Sequence, residues 1–493
     1  MSVTNLQSVR ADSASHLMHL GVRDWQLGNL NVKPTLCVGW LYFKDELSLE
    51  TVRTEVMSKI VKKVLRYRAL PVERDGWTHW DEIPVESMDL EYHFGTTTDD
   101  SFETENQWRA HLDAIVEKGL DYAKPWWKYQ LIKKLPCGRS GLLMITDHAF
   151  GDGASGVSAL LSICQKNIIE SPRKKKTQLG APRKLTMYEN LFAIGGGISK
   201  PLLEAVLPND RPTKLKSIGF PQSWDYSLTS PTDFMDVNLF KDIKDKIPGC
   251  TVNDVMLALT ALSIRNYYKD IKEPIMNTKK DITATYAVNT RPLGVNYLGD
   301  EWFGNHVVAA TTPYPLHDSR IKTLLKFRDN GRMRKNSPDT LIRVGIAEFA
   351  ARMVVPFVDR LPFVTRSQAL KTGAETQLKF SVMISNVVFS MDKLSVFGQE
   401  IDDVQFLAMT PLGCYCGVST YAGKVNCNVV TAKNVEANPS AIAAYYKKEL
   451  YALHDEVMAL KQSELIVLDA PEIASLYSLL LSFFYLFFGA FLR

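Results

Sequence analysis

The chain lacks several signatures, and each absence removes a class of protein. It has no C-x-x-C pair among its seven cysteines (37, 137, 164, 250, 414, 416 and 427), and Cys414 and Cys416 stand one residue apart, a poor zinc spacing without histidine partners. Scattered and odd in number, the cysteines read as reduced thiols of a cytosol-facing protein. Lys+Arg 58 against Asp+Glu 54 leaves a net charge of only +4, too balanced to argue for a nucleic-acid binder. The N-terminal stretch from Met1 to Ser15 has no apolar core, so no signal peptide is visible. No internal repeat is evident, and at 493 residues the chain has room for two or three domains.

What is present begins with Asp147-His148-Ala149-Phe150-Gly151-Asp152-Gly153. It follows the apolar run Gly141 to Thr146, which reads as a buried strand, and precedes a stretch from Ala154 with helical spacing. A histidine at a strand end is well placed to take a proton from a hydroxyl near neutral pH. A lone histidine on an apolar strand is more often a packed core residue. The H-x-x-x-D-G spacing moves the reading toward catalysis, with the glycine allowing close backbone approach.

Around the motif, Val52–Tyr67 and Glu103–Gly119 read as amphipathic helices, Leu90–Phe94, Trp127–Ile132 and Leu142–Thr146 as strands, and Ala154–Ile168 as a helix. Residues 171–231 are proline-rich, include Gly195-Gly196-Gly197, and read as a crossover linker with some helix. Within them, Arg173-Lys174-Lys175-Lys176 reads as a solvated loop, and a membrane-facing stretch near Leu191–Leu207 is only weakly signalled. Phe234–Phe240 is strand-like, and Thr251 is a plausible N-cap for a helix to Tyr268, with Asp254 in its first turn. Strands are expected at Ile282–Val288, Val307–Thr312, Phe380–Ser385, Val404–Met409, Gly417–Tyr421 and Val425–Thr431, the last two joined by a hairpin at Gly423-Lys424. Helices are expected at about 317–334 and 339–356, and from Pro439 to Lys461. Ile473 to Leu492 is twenty residues without a charge. It is long enough to span a bilayer, lie along its interface or pack into a groove, and its uniform apolarity favours membrane contact.

The histidine motif has ordered companions: Pro125-Trp126-Trp127, Val252-Asn253-Asp254-Val255, Val288-Asn289-Thr290-Arg291, Phe303-Gly304-Asn305, Ile384-Ser385-Asn386-Val387, and Ser419 to Val425. Over roughly residues 15–460, the set resembles the wax ester synthase/diacylglycerol acyltransferase family of the H-x-x-x-D-G acyltransferases. That family usually has two adjacent histidines; here the first is Asp147 and the second is retained as His148. The D-F-G-W-G motif of plant alcohol acyltransferases is absent, and no carrier or adenylation domain accompanies the chain.

The resemblance implies an α/β (α+β) fold of two chloramphenicol-acetyltransferase-like domains with a tunnel between them. They would occupy residues 1–170 and 232–465, joined by the crossover 171–231 and followed by a hydrophobic membrane-associated helix at 473–492. It implies transfer of a long-chain acyl group from acyl-CoA, a substrate rather than a cofactor, to a fatty alcohol or diacylglycerol, with no metal. His148 would be the general base, with Asp152 beside it in the catalytic turn, holding the loop with an arginine such as Arg291 rather than shuttling protons. Gly153, Trp127, Asn253, Asp254, Arg291 and Asn386 would contact substrate, with Asn253 and Asn386 as candidate oxyanion donors. Helix capping is the plainer reading of Asn253-Asp254, and core packing that of Pro125-Trp126-Trp127. The implied setting is the endoplasmic reticulum or lipid-droplet surface, the catalytic part facing the cytosol and in contact with membrane lipid. Two alternatives stay open: a membrane-attached lipid-binding protein impaired by Asp147, and an acyltransferase for another hydroxyl, such as a sterol.

Overall fold

The computed structural model describes residues 6–95, 101–167, 184–204, 210–292, 294–358, 360–361, 365–461 and 463–464. The basic run 173–176 and the apolar segment 473–492 lie outside these residues.

The chain folds as mixed α/β structure around two large sheets. The first has strands in the order Trp127–Ile132, Ser140–Asp147, Leu36–Phe43, Gln399–Ala408, Lys393–Val396 and Gln165–Asn167, all antiparallel. Leu36–Phe43 lies at its centre as a nearly continuous apolar run, as a strand covered on both faces should. The second follows the order Val307–Tyr314, Ile282–Asn289, Val382–Ser390, Cys414–Tyr421, Lys424–Ala432 and Trp224–Ser227, with Met235–Asp236 also paired to Lys424–Ala432. Its central pairs, Ile282–Asn289 with Val382–Ser390 and Val382–Ser390 with Cys414–Tyr421, are parallel. Ser8–Arg10, Trp77–Glu82 and Ala69–Arg74 form a small third sheet.

The second half lends strands to the first sheet. Gln399–Ala408 comes late in the chain yet runs beside Leu36–Phe43 in the first sheet, with Ala408 opposite Cys37. The first core is rich in indoles: Trp40, Trp80, Trp108 and Trp127 are all less than 2% exposed. Each buries on the order of 200 Å², or about 5 kcal/mol of transfer free energy before entropy. In the second core, helix Val252–Asp270 is apolar nearly all round because helices Val237–Lys246, Arg320–Lys335 and Pro439–Ala459 pack against it. Thr251 caps it as expected, in a reciprocal box with Asp254.

Several expected elements differ, each for a local or long-range reason. Leu90–His93 is a helical turn, because the Asp89 side chain accepts from Tyr92 N at 3.0 Å and starts a helix instead of a strand. Phe234–Phe240 is a two-residue strand followed by helix Val237–Lys246; Asp236 caps it, and Val237, Phe240 and Ile243 are buried at helical spacing. The helix after the motif, Gly153–Leu161, stops short of 168, and Gln165–Asn167 pairs with Lys393–Ser395. Val52–Tyr67 is broken: α-helix ends at Val56, a π turn covers Met57–Val61, and a 3₁₀ turn covers Leu65–Arg68. The late hairpin turns on Ala422-Gly423, both with positive φ, rather than on Gly423-Lys424.

Candidate active site

Strand Ser140–Asp147 delivers His148 to the end of the first sheet, where the backbone turns sharply. His148 N donates to Thr35 O at 2.7 Å, and Phe150 N closes the turn onto Asp147 O at 3.1 Å. Phe150 anchors it among Tyr67, Trp80 and Phe303, with ring centroids 5.0, 6.1 and 5.5 Å away. Asn305 donates from Nδ2 to His148 O at 2.5 Å and to Ser15 Oγ at 3.1 Å, so both halves fix the histidine backbone.

The imidazole itself is half-buried and has no protein hydrogen-bond partner among the described residues, and its Nδ1 is fully enclosed. Buried polar atoms are normally paired. Other buried histidines obey that rule with at least one nitrogen: His16 and His19 both meet Thr78 Oγ1, at 2.9 and 2.8 Å, and His93 Nδ1 meets Trp127 O at 2.9 Å. Burial holds the rings of His16, His19 and His93 neutral, with pKa values lowered to about 4. These three are packed core histidines. His148 instead lines a cavity of about 670 Å³ walled by both halves, including Trp127, Gly153, Phe303, Val387 and Phe406.

Asp152 turns the other way. Its carboxylate receives Arg291 Nη1 at 2.8 Å and Nη2 at 3.2 Å, His306 N at 2.9 Å, and Ser155 N at 2.9 Å, the last as N-cap of helix Gly153–Leu161. The side chains of Arg291 and Asp152 are 0% and 2% exposed. A second buried arginine repeats the device: Arg66 donates to Asp12 Oδ2 and Phe150 O, both at 3.0 Å, and to Ser15 Oγ at 3.1 Å. Burial alone would raise the Asp12 pKa, but Arg66 and the Ser15 N–H outweigh it and hold it low. Gly304 threads between the two clamps. A Cβ there would sit 2.3 Å from Asp12 Oδ2 and 2.7 Å from Arg66 Nη2, so only glycine fits.

Asp147 is buried, with Oδ1 accepting from Ala149 N at 2.7 Å and Oδ2 from Tyr122 Oη at 2.8 Å. Burial pushes its pKa up to about 7 despite these two donors. It grips the backbone beyond His148 and makes no hydrogen bond to the ring.

The structure brings His148, Gly153 and Trp127 to the cavity wall and places Asp152 and Arg291 together in the clamp. It does not bring Asn253, Asp254 or Asn386 there. In strand Val382–Ser390, Met383, Ser385, Val387 and Phe389 line the cavity, whereas Val382 and Ile384 enter the second core. Strand alternation turns Asn386 with the latter. Its Nδ2 donates to Asn253 Oδ1 at 3.3 Å, and Asp254 is occupied by Thr251. Sequence reading did not single out Arg66, Asp12 or Tyr122; buried arginines leave no local pattern, although Phe303-Gly304-Asn305 marked the segment they hold.

Two family models match the chain: the wax ester synthase/diacylglycerol acyltransferase catalytic domain over residues 3–205, and the WS/DGAT C-terminal domain over residues 303–454. A protein of Mycobacterium tuberculosis strain H37Rv, provisionally named a diacylglycerol O-acyltransferase, is 24% identical over 257 residues, 46% of this chain and 50% of its own. The chain thus spans about half the length of the curated relatives it matches. The solved wax ester synthase/diacylglycerol acyltransferase from Marinobacter aquaeolei VT8 aligns with a TM-score of 0.55 at 17% identity, covering 88% of this chain and 98% of that one. The TRI3 trichothecene 15-O-acetyltransferase from Fusarium sporotrichioides gives 0.54 at 10% identity, covering 93% and 97%. At such identities the likeness shows the fold, two chloramphenicol-acetyltransferase-like halves. The family models take in the histidine turn from one half and Gly304, Asn305 and His306 from the other. The chain belongs to the wax ester synthase/diacylglycerol acyltransferase family.

Proposed function

We propose that this chain is an acyl-CoA-dependent O-acyltransferase that esterifies a fatty alcohol, diacylglycerol or both with a long-chain acyl group, using His148 as general base. The observation that carries the reading is the His148 ring, without a protein partner, on the wall of a largely apolar cavity shared by both halves. A thioester is already activated, so the nucleophile is the acceptor hydroxyl and no acyl-enzyme is needed. Neutral His148 takes the hydroxyl proton as the oxygen attacks the thioester carbonyl; the tetrahedral adduct collapses with cleavage of the C–S bond. The imidazolium returns its proton to the departing thiolate, leaving ester, free CoA thiol and neutral histidine.

Asp152 and Arg291 act as positioning residues in this scheme, since their polar atoms are spent on each other, Ser155, Gly304 and His306. Asp147 leaves the base free, which favours an active enzyme over an impaired lipid-binding protein. The apolar segment 473–492 supports attachment at the endoplasmic reticulum or a lipid-droplet surface, where such acceptors dissolve. The test is product analysis from labelled palmitoyl-CoA offered with hexadecanol, diacylglycerol or a sterol, for wild type and His148→Ala. Wax ester or triacylglycerol that disappears in the variant is expected; ester synthesis unchanged by the substitution would refute the mechanism.

A further inference from the structure

Two adjacent helices wear their apolar side chains on the outside. In Met187–Leu203 every exposed side chain described is apolar but for the phenol of Tyr188, and Leu191, Ile194, Ile198 and Leu202 run along it at helical spacing. Its one cation, Lys200, points inward and donates to Thr311 O at 2.7 Å, and Glu189 is taken up in the capping box with Thr186. Helix Asp339–Phe349 packs against it and continues through the turn Ala350–Val354 into Val355–Val358. There Phe349, Met353 and Phe357 are 60%, 59% and 62% exposed, while Arg343 is bound to Glu204 and Asp339. The exposed charges of this stretch, Arg352 and Glu348, pair with each other at 2.5 Å, their side chains 53% and 40% exposed. Of 23 large apolar side chains exposed in the described chain, 13 are on these two helices, so the patch is concentrated rather than scattered.

The same patch meets the cavity. On the inner side of the second helix, Ala347, Ala350 and Val354 line the space that also holds His148. Val354 both lines that cavity and is 38% exposed, and so is Met18 on helix Ser13–Gln26, which packs against the Ala350–Val354 turn. The cavity therefore reaches the surface at Met18 and Val354, beside Met353 and Phe357.

We infer that this two-helix face beds into the acyl-chain layer of a lipid membrane, with the cavity mouth at Met18 and Val354 opening into it. A second copy of the chain or a protein partner seated on the face would cover the mouth; a lipid layer leaves it open to an apolar substrate. Among the described residues no helix is long and apolar enough to cross a membrane, and a face of this kind lies in the interface plane. The choice of a lipid layer over a protein partner, and the entry of an acceptor lipid through the mouth, rest on the proposed activity; the labelling that reads the docking needs no turnover.

The test is photolabelling of the full chain on vesicles of phosphatidylcholine carrying a diazirine on the acyl chain, with adducts mapped by mass spectrometry. The expected result is adducts within 187–203 and 339–358, falling about tenfold or more at those helices in Leu191→Glu/Phe349→Glu, whose sites are exposed and tolerate charge in the fold. Adducts confined to 473–492, or none on either helix, would overturn the inference. Labelling is read without turnover, so an inactive protein that still labels on both helices would sink the activity and leave the docking standing.

Discussion

His148 and Asp152 are four residues apart in one motif, yet the structure gives them opposite surroundings. The histidine ring faces a cavity with no hydrogen-bond partner among the described residues, while the aspartate is sealed and receives four donors from both halves. A half-buried ring with an enclosed, unsatisfied nitrogen is costly unless something arrives to use it; a satisfied buried carboxylate is costly only to disturb. The comparison separates a group kept for chemistry from one kept for architecture, and each can be broken without the other.

The largest effect is expected from His148→Ala. Ester formation should drop by about a thousandfold, within the range for loss of a general base, with little change in melting temperature. Arg291→Ala attacks the other side of the motif. Leaving Asp152 charged and buried without its fork should cost about 3–5 kcal/mol, read by denaturant unfolding. Arg291→Lys keeps the charge and loses the bidentate geometry, and should recover only part of that loss.

Asp147 sharpens the contrast because it sits between the two. Its carboxyl keeps a proton up to about pH 7 when folded, against 3.8 as an ordinary aspartate. Between those values the folded state holds the extra proton. The stability this group contributes is therefore complete below the lower value and is lost as pH rises to about 7, by up to about 4 kcal/mol. Asp147→Asn can still accept from Ala149 N and meet the Tyr122 hydroxyl without ionising. Its stability should exceed that of wild type increasingly from pH 4 to 7, measured by urea unfolding across that range, while turnover changes little. The smallest effect is expected from Asn386→Ala. Turned from the cavity and bound to Asn253, Asn386 should alter kcat by less than about threefold, well short of the roughly hundredfold cost of losing an oxyanion donor.

What could be read in the sequence was local. The strand ending at His148 and the Thr251 cap with Asp254 follow from nearby pattern, whereas the pairing of Asp152 with an arginine such as Arg291 spans 139 residues and came only with the family resemblance. What could not be read depended on distant pairing. No local periodicity tells that Gln399–Ala408 crosses into the first sheet, or that Gln165–Asn167 ends a helical pattern by joining Lys393–Ser395. The facing of Asn386 is set by strand register, and a one-residue change of register would have turned it to the cavity. Arg66 with Asp12 escaped notice because its partners are 54 residues apart and burial alone makes the pair matter. The outward apolar stripe of Met187–Leu203 was weakly signalled, since hydrophobic spacing predicts a helix but not whether its apolar face turns in or out.

The central claim is that one motif divides its labour, and a single paired measurement tests it: kcat per folded molecule and unfolding free energy for His148→Ala and Asp152→Asn, side by side on palmitoyl-CoA and hexadecanol. The account predicts a crossed result, in which His148→Ala loses rate and keeps stability while Asp152→Asn loses stability and keeps most of its rate per folded molecule. Ester synthesis by His148→Ala at the wild-type rate, or an Asp152→Asn protein as stable as wild type but inactive, would contradict it.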